Sequence, residues 1–204
     1  MMTALVLIPW AQTDWSTQGR MASHTSLSLN EQGRKRAEAW GEAMAALNLQ
    51  TIFCSEEQTS LETARIVAHR SGARRKSVED LAEVDVGLWE GLTVAELRRR
   101  YPKAFKCWEE DRSSICPPEG EEVAEAAARI RARIDRIAKD AAGKATGVVL
   151  GPMALGLARC ALESAKVSKM NSLMFDAPLC YNLTEGDRPA ELMEELQVPG
   201  AVNA

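Results

Sequence analysis

Histidine is nearly missing from this chain: His24 and His69 are the two it has in 204 residues. Metal ligation or a histidine relay therefore has few places to sit, and no metal site is expected. Nothing approaches the roughly 18 consecutive apolar residues of a spanning helix. The apolar opening at residues 4–8 is cut by Pro9 and lacks a basic leader and a small-residue cleavage site, so neither a membrane partner nor a secretory signal is expected. The five cysteines, Cys54, Cys107, Cys116, Cys160 and Cys180, are odd in number and contain no C-x-x-C. Reduced thiols in a cytoplasmic protein are the expectation, not a disulfide framework. Excess charge is also lacking: the formal net charge is -4, which gives no reason to expect nucleic acid. The Arg98, Arg99, Arg100 run reads as a solvated helix face. No repeat or low-complexity segment occurs.

What is present fits one compact domain. A hydrophobic fraction of 46% and a charged fraction of 26% are ordinary for a globular chain of this length. We read residues 1–204 as a single domain with a C-terminal tail from about residue 187. Short aliphatic runs at 4–8, 51–54 and 147–150 have the character of buried strands, with a last strand at 179–183. Between them lie helical patterns. Ala37, Trp40, Met44 and Leu47 share one face, as do Leu61, Ala64 and Ala68, and then Val123, Ala127, Ile130, Ile134 and Ile137. Gly143 is read as the stop for the last of these. Thr93 and Glu96 form a capping box, and a further helix is expected over about 154–165. The alternation predicts an α/β fold in three layers, a mostly parallel sheet flanked by helices. Reactive positions then fall in the loops leaving the carboxyl ends of the strands, at 9–14, 55–59 and 151–154.

Ordered motifs in this sequence resemble one family. The segment from Leu7 through Pro9, Trp10 and Asp14 to Trp15 is followed by Gly19-Arg20 and Leu29-Asn30-Glu31-Gln32-Gly33. It is similar to the L-V-R-H-G-E-T-x-W, x-G-R and L-N-x-x-G elements of the phosphoglycerate mutase-like histidine phosphatase superfamily. Leu81-Ala82-Glu83, Gly87-Leu88-Trp89-Glu90-Gly91-Leu92-Thr93, Tyr101-Pro102 and the Pro118, Gly120, Glu121 loop continue the likeness in order. The resemblance implies a phosphoglycerate mutase-like fold. In such proteins the R-H-G histidine carries a phosphoryl group, two arginines and a second histidine hold its oxygens, and a carboxylic acid protonates the leaving group.

At those positions this sequence departs from the pattern. Trp10 stands at the nucleophile, and an indole nitrogen has no basic lone pair. Pro9 and Thr59 stand at the two arginines, Pro152 at the second histidine and Ser16 at a common asparagine, while Glu57 adds negative charge. Of the implied catalytic set only Glu83, the acid, remains, and it also reads simply as a loop carboxylate bonded to backbone amides. The expectation from these departures is a catalytically inactive pseudophosphatase, a binding or assembly module that is not an enzyme and needs no cofactor. Its former pocket is then apolar, walled by Pro9, Trp10, Pro152 and Met153, and suited to a protein partner or an uncharged ligand. The alternatives are an enzyme of another class using Glu83, Cys54 or His24, or residual phosphate-ester binding or phosphatase activity through a non-standard site.

His24 falls in a loop at the pocket rim as a ligand-contact candidate, whereas His69 closes a helix. A cysteine phosphatase needs an arginine six residues after its cysteine. Ser60, Ser113, Glu122, Lys166 and Gly186 occupy those places. The acidic runs at 56–57, 109–111 and 194–195 read as solvated faces, and core packing is the expectation for the tryptophans, Trp10 apart. A homodimer stays open.

Overall fold

The computed structural model describes residues 3–110, 116–141, 143–174, 177–183 and 191–195. Among the described residues six strands form one sheet: β1 (Ala4–Pro9), β2 (Thr51–Cys54), β3 (Arg74–Ser77), β4 (Ala145–Leu150), β5 (Leu179–Asn182) and β6 (Glu191–Glu195). Their spatial order is β3-β2-β4-β1-β5-β6. β1 runs parallel to β4, and β2 parallel to both β4 and β3. β5 pairs antiparallel with β1 and with β6.

Alternating side chains divide the interior into two cores, one on each face of the sheet. Leu5 and Leu7 of β1 enter one core and Ala4, Val6 and Ile8 the other. The first core is closed by α6 (Val123–Asp140) and α7 (Pro152–Leu162), through residues such as Ile130, Ile134, Leu155 and Leu157. The second is closed by α2 (Glu31–Ala43) and α3 (Gln58–Ser71), through Ala37, Trp40, Ala64 and Val67. The three-layer α/β reading is therefore correct. Trp40 and Trp89 are fully buried, and Trp89 packs with Tyr101 and Trp108 at ring separations of 6.5 and 6.3 Å.

Before α2 comes the short α1 (Asp14–Thr17), and between β3 and α6 lie α4 (Val94–Arg100) and α5 (Pro102–Glu110). Thr93 opens α4 with the expected capping box. The sequence pattern missed β3, because Arg74, Arg75, Lys76 and Ser77 contain no apolar residue. It is an edge strand paired on one side with β2, and charge along its free edge discourages pairing with other chains. The tail expected from about residue 187 also contains structure: residues 191–195 form β6 against β5, while 184–190 and 196–204 lie outside the described residues.

Candidate active site

β1 and β4 end side by side, with Pro9 paired to Leu150, and the Trp10 amide donates to the Leu150 carbonyl at 2.9 Å. Trp10 and Gly151 thus leave the carboxyl edge of the sheet together. A cavity of about 160 Å³ opens there. Trp10, Met21, Val86, Trp108, Pro152 and Met153 give it apolar walls, and Glu83, Ser16 and Arg20 supply its polar groups. Trp10 is half-buried and fills part of this space without closing it.

Glu83 is 2% exposed, and its carboxylate sits over the start of α7. Oε2 accepts from the Met153 amide at 3.0 Å; Oε1 accepts from the Ala154 amide at 2.9 Å and the Val84 amide at 2.7 Å. The N-cap of α7 is Gly151, which has no side chain to cap with, and Pro152 at the first turn has no N–H. A carboxylate from 70 residues away therefore satisfies the helix's free amides. Glycine is required at 151 because a Cβ there would overlap Glu83 Oε2 and lie 3.0 Å from the Trp10 ring. Gly151→Ala is expected to cost about 1–3 kcal/mol by forcing that carboxylate aside, which urea unfolding would measure; an unchanged midpoint would refute this packing.

Two opposing influences act on the Glu83 proton. Burial pushes the carboxyl up, the three amides pull it down, and the nearby Glu57 raises it again; the result is a pKa of about 7. Glu57, the N-cap of α3, accepts from the Glu83 amide through Oε1 at 2.8 Å, while its Oε2 is buried without a hydrogen-bond partner among the described residues.

Arg129 of α6 holds the strand-end segment that carries Glu83. Its guanidinium forks onto Glu121 at 2.6 and 2.7 Å and donates to the carbonyls of Asp80, Ala82 and Glu83. The apolar spacing of α6 leaves Arg129 on the polar face of the helix. Its arginine type and the family-like Glu121 were the available signal, but the pairing to a segment near residue 80 is tertiary.

The other expected site residues do not all meet at the cavity. Trp10, Ser16, Glu83 and Pro152 line it; Pro9, Thr59 and His24 do not. Pro9 is buried in β1, and Thr59 Oγ1 donates to the Leu27 carbonyl at 2.8 Å, turned to a structural bond. His24 is exposed and faces Asp85 at 3.3 Å, because Glu90 grips the backbone on both sides of it through the Ser23 and Thr25 amides. Ser16 bonds back to Thr13 within the capping box of α1. Arg20 was missed as a site residue: it is a cation at the cavity, with Nη1 donating to the Gly91 carbonyl at 2.6 Å. Cys54 is buried and its thiol is pushed up to about 11, so it is no ready nucleophile. Among the described residues no cluster of metal-ligating side chains occurs, and no helix is long and apolar enough to cross a membrane.

Sheet order, flanking helices and the edge cleft define an α/β protein of phosphoglycerate mutase-like architecture. The fold matches the solved structure of a putative alpha-ribazole-5'-P phosphatase from Escherichia coli with a TM-score of 0.85, at 20% identity over 96% of each chain. The chain belongs to the histidine phosphatase superfamily (branch 1), whose family model matches residues 5–197. It is 25% identical to "Phosphoserine phosphatase 1" of Hydrogenobacter thermophilus over 86% of this chain and 83% of that protein. It is 32% identical to "Glucosyl-3-phosphoglycerate phosphatase" of Mycobacterium tuberculosis over 62% of this chain, spanning 56% of that relative's length. These relatives are named as phosphatases, which overturns the expectation of a chain that is not an enzyme. The expectation weighed missing side chains at single motif positions and gave the scaffold's membership and the retained acid too little weight.

Proposed function

We propose that this chain is a phosphate-ester hydrolase working through a non-standard site, with Glu83 as proton donor, Arg20 as the cation at the cavity and water as nucleophile. The observation that carries the reading is Glu83: a buried carboxyl at the cavity with a pKa of about 7 still holds its proton in a large fraction of molecules at neutral pH. In the step, a water oxygen bonds to phosphorus as the ester P–O bond breaks. Glu83 gives its proton to the departing oxygen, the attacking water loses a proton to the solvent, and the carboxylate is reprotonated from water. Trp10 stands where the motif has its histidine, so no phosphohistidine forms. The relatives' names support the reaction class. The apolar walls support an ester with an apolar leaving group.

A second reading is acid–base chemistry on an uncharged ligand, favoured by the unpartnered Glu57 oxygen beside Glu83, which repels an anion. Hydrolysis of p-nitrophenyl phosphate and phosphoserine from pH 5 to 9 tests the first. Turnover should fall as pH rises through about 7, drop about 100-fold in Glu83→Gln and leave no phosphoenzyme by mass spectrometry. Rates equal to buffer alone would sink the hydrolase reading.

A further inference from the structure

A second cavity, of about 370 Å³, lies away from Glu83 on the α3 side of the sheet. Its wall takes Arg34 from α2, Arg65 from α3 and Arg75 from β3, with Ser28, Gln58 and Glu62 between them. Three exposed arginines from three separate segments thus border one pocket. One carboxylate is present, and it is already committed. Glu62 is 8% exposed, with Oε1 accepting from Arg34 Nε at 2.8 Å and Oε2 from the Leu29 amide at 3.0 Å.

The side chains of Arg65 and Arg75 make no hydrogen bond or ion pair among the described residues, whereas those of Arg70, Arg98 and Arg133 each pair with a carboxylate. Arg34 and Glu62 cancel, which leaves Arg65 and Arg75 as positive charges without a carboxylate partner among the residues lining the pocket. Bringing like charges together costs free energy that an anion in the pocket removes. Guanidinium forks suit oxyanions, and Ser28 and Gln58 add neutral donors.

We infer that this pocket binds the phosphate group of a small phosphorylated molecule, at a site separate from the cleft around Glu83. Arg65 and Arg75 hold the anion, and the Arg34–Glu62 pair fixes the wall behind it.

Inorganic phosphate titrated into the full chain at constant ionic strength, followed by calorimetry and amide NMR, tests this. Saturable binding is expected with amide shifts centred on residues 28, 58 and 65. Arg65→Gln and Arg75→Gln should each weaken it about 10-fold, while Arg131→Gln, an exposed change on α6 across the sheet, leaves it unchanged. Absence of saturation at tens of millimolar, or an affinity in both arginine variants unchanged from that of the unaltered chain, overturns the inference. Loss of binding in Glu83→Gln with both arginine variants unaffected places phosphate in the cleft. That outcome refutes this site while leaving the hydrolase reading intact.

Discussion

Arg129→Ala is expected to destabilise the protein by about 3–5 kcal/mol, the cost typical of removing one partner from a largely buried ion pair. Arg129 and Glu121 are only 24% and 19% exposed, so solvent replaces little of what is lost. Three carbonyls, of Asp80, Ala82 and Glu83, lose their donor in the same substitution. For a chain of this size that corresponds to a fall in melting temperature of about 10 °C. Arg129→Lys keeps the charge but cannot fork onto Glu121 while reaching the carbonyls, so an intermediate loss is expected. Calorimetry of both variants checks the ordering, and a loss below about 1 kcal/mol for Arg129→Ala would show that the segment carrying Glu83 is held by something else.

The second large effect is the dependence of stability on pH through Glu83. Its ordinary value of 4.5 rises to about 7 in the folded chain. A raised acid favours the folded state while it is protonated. That contribution is fully present below about 4.5, declines as pH rises, and is gone above about 7. From the size of the shift it amounts to about 3 kcal/mol. Glu83→Gln cannot ionise and should lose this dependence. The price is one donor–donor conflict, where the Gln amide faces the Met153 N–H, which lowers stability at pH 5 by about 1–3 kcal/mol. Urea unfolding at pH 5 and pH 8 separates the two effects. The same slope with pH in both proteins would mean that another group titrates.

Legibility in the sequence followed the physics of each element. β1, β2, β4 and β5 were readable because buried strands are runs of apolar residues, and α2, α3 and α6 because one face of each is apolar. The fully charged-and-polar β3 gave no such signal; its strand geometry comes from pairing with Ile52 and Phe53 of β2. β6, with Leu192 and Met193 adjacent between glutamates, shows no alternation either and exists as a partner to β5. Both were therefore invisible to periodicity.

The site divides along the same line. Sequence by itself determined the family, through motifs in a fixed order, and the chemical character of Trp10, Pro152 and Glu83, since an indole cannot attack and a carboxyl can carry a proton. It also determined that the loops after β1 and β4 matter, because parallel strands converge their carboxyl ends on one edge. Only the tertiary structure decided which candidates share a cavity. Thr59 and His24 are drawn off by Leu27 and Asp85, and Arg20 is brought in. Tertiary contact also set the Glu83 proton affinity, because burial, amides 70 residues away and Glu57 act on it together. A pKa and a cavity are sums over neighbours in space, and adjacency in space between residues 20, 83, 129 and 153 is written in no local stretch of the chain.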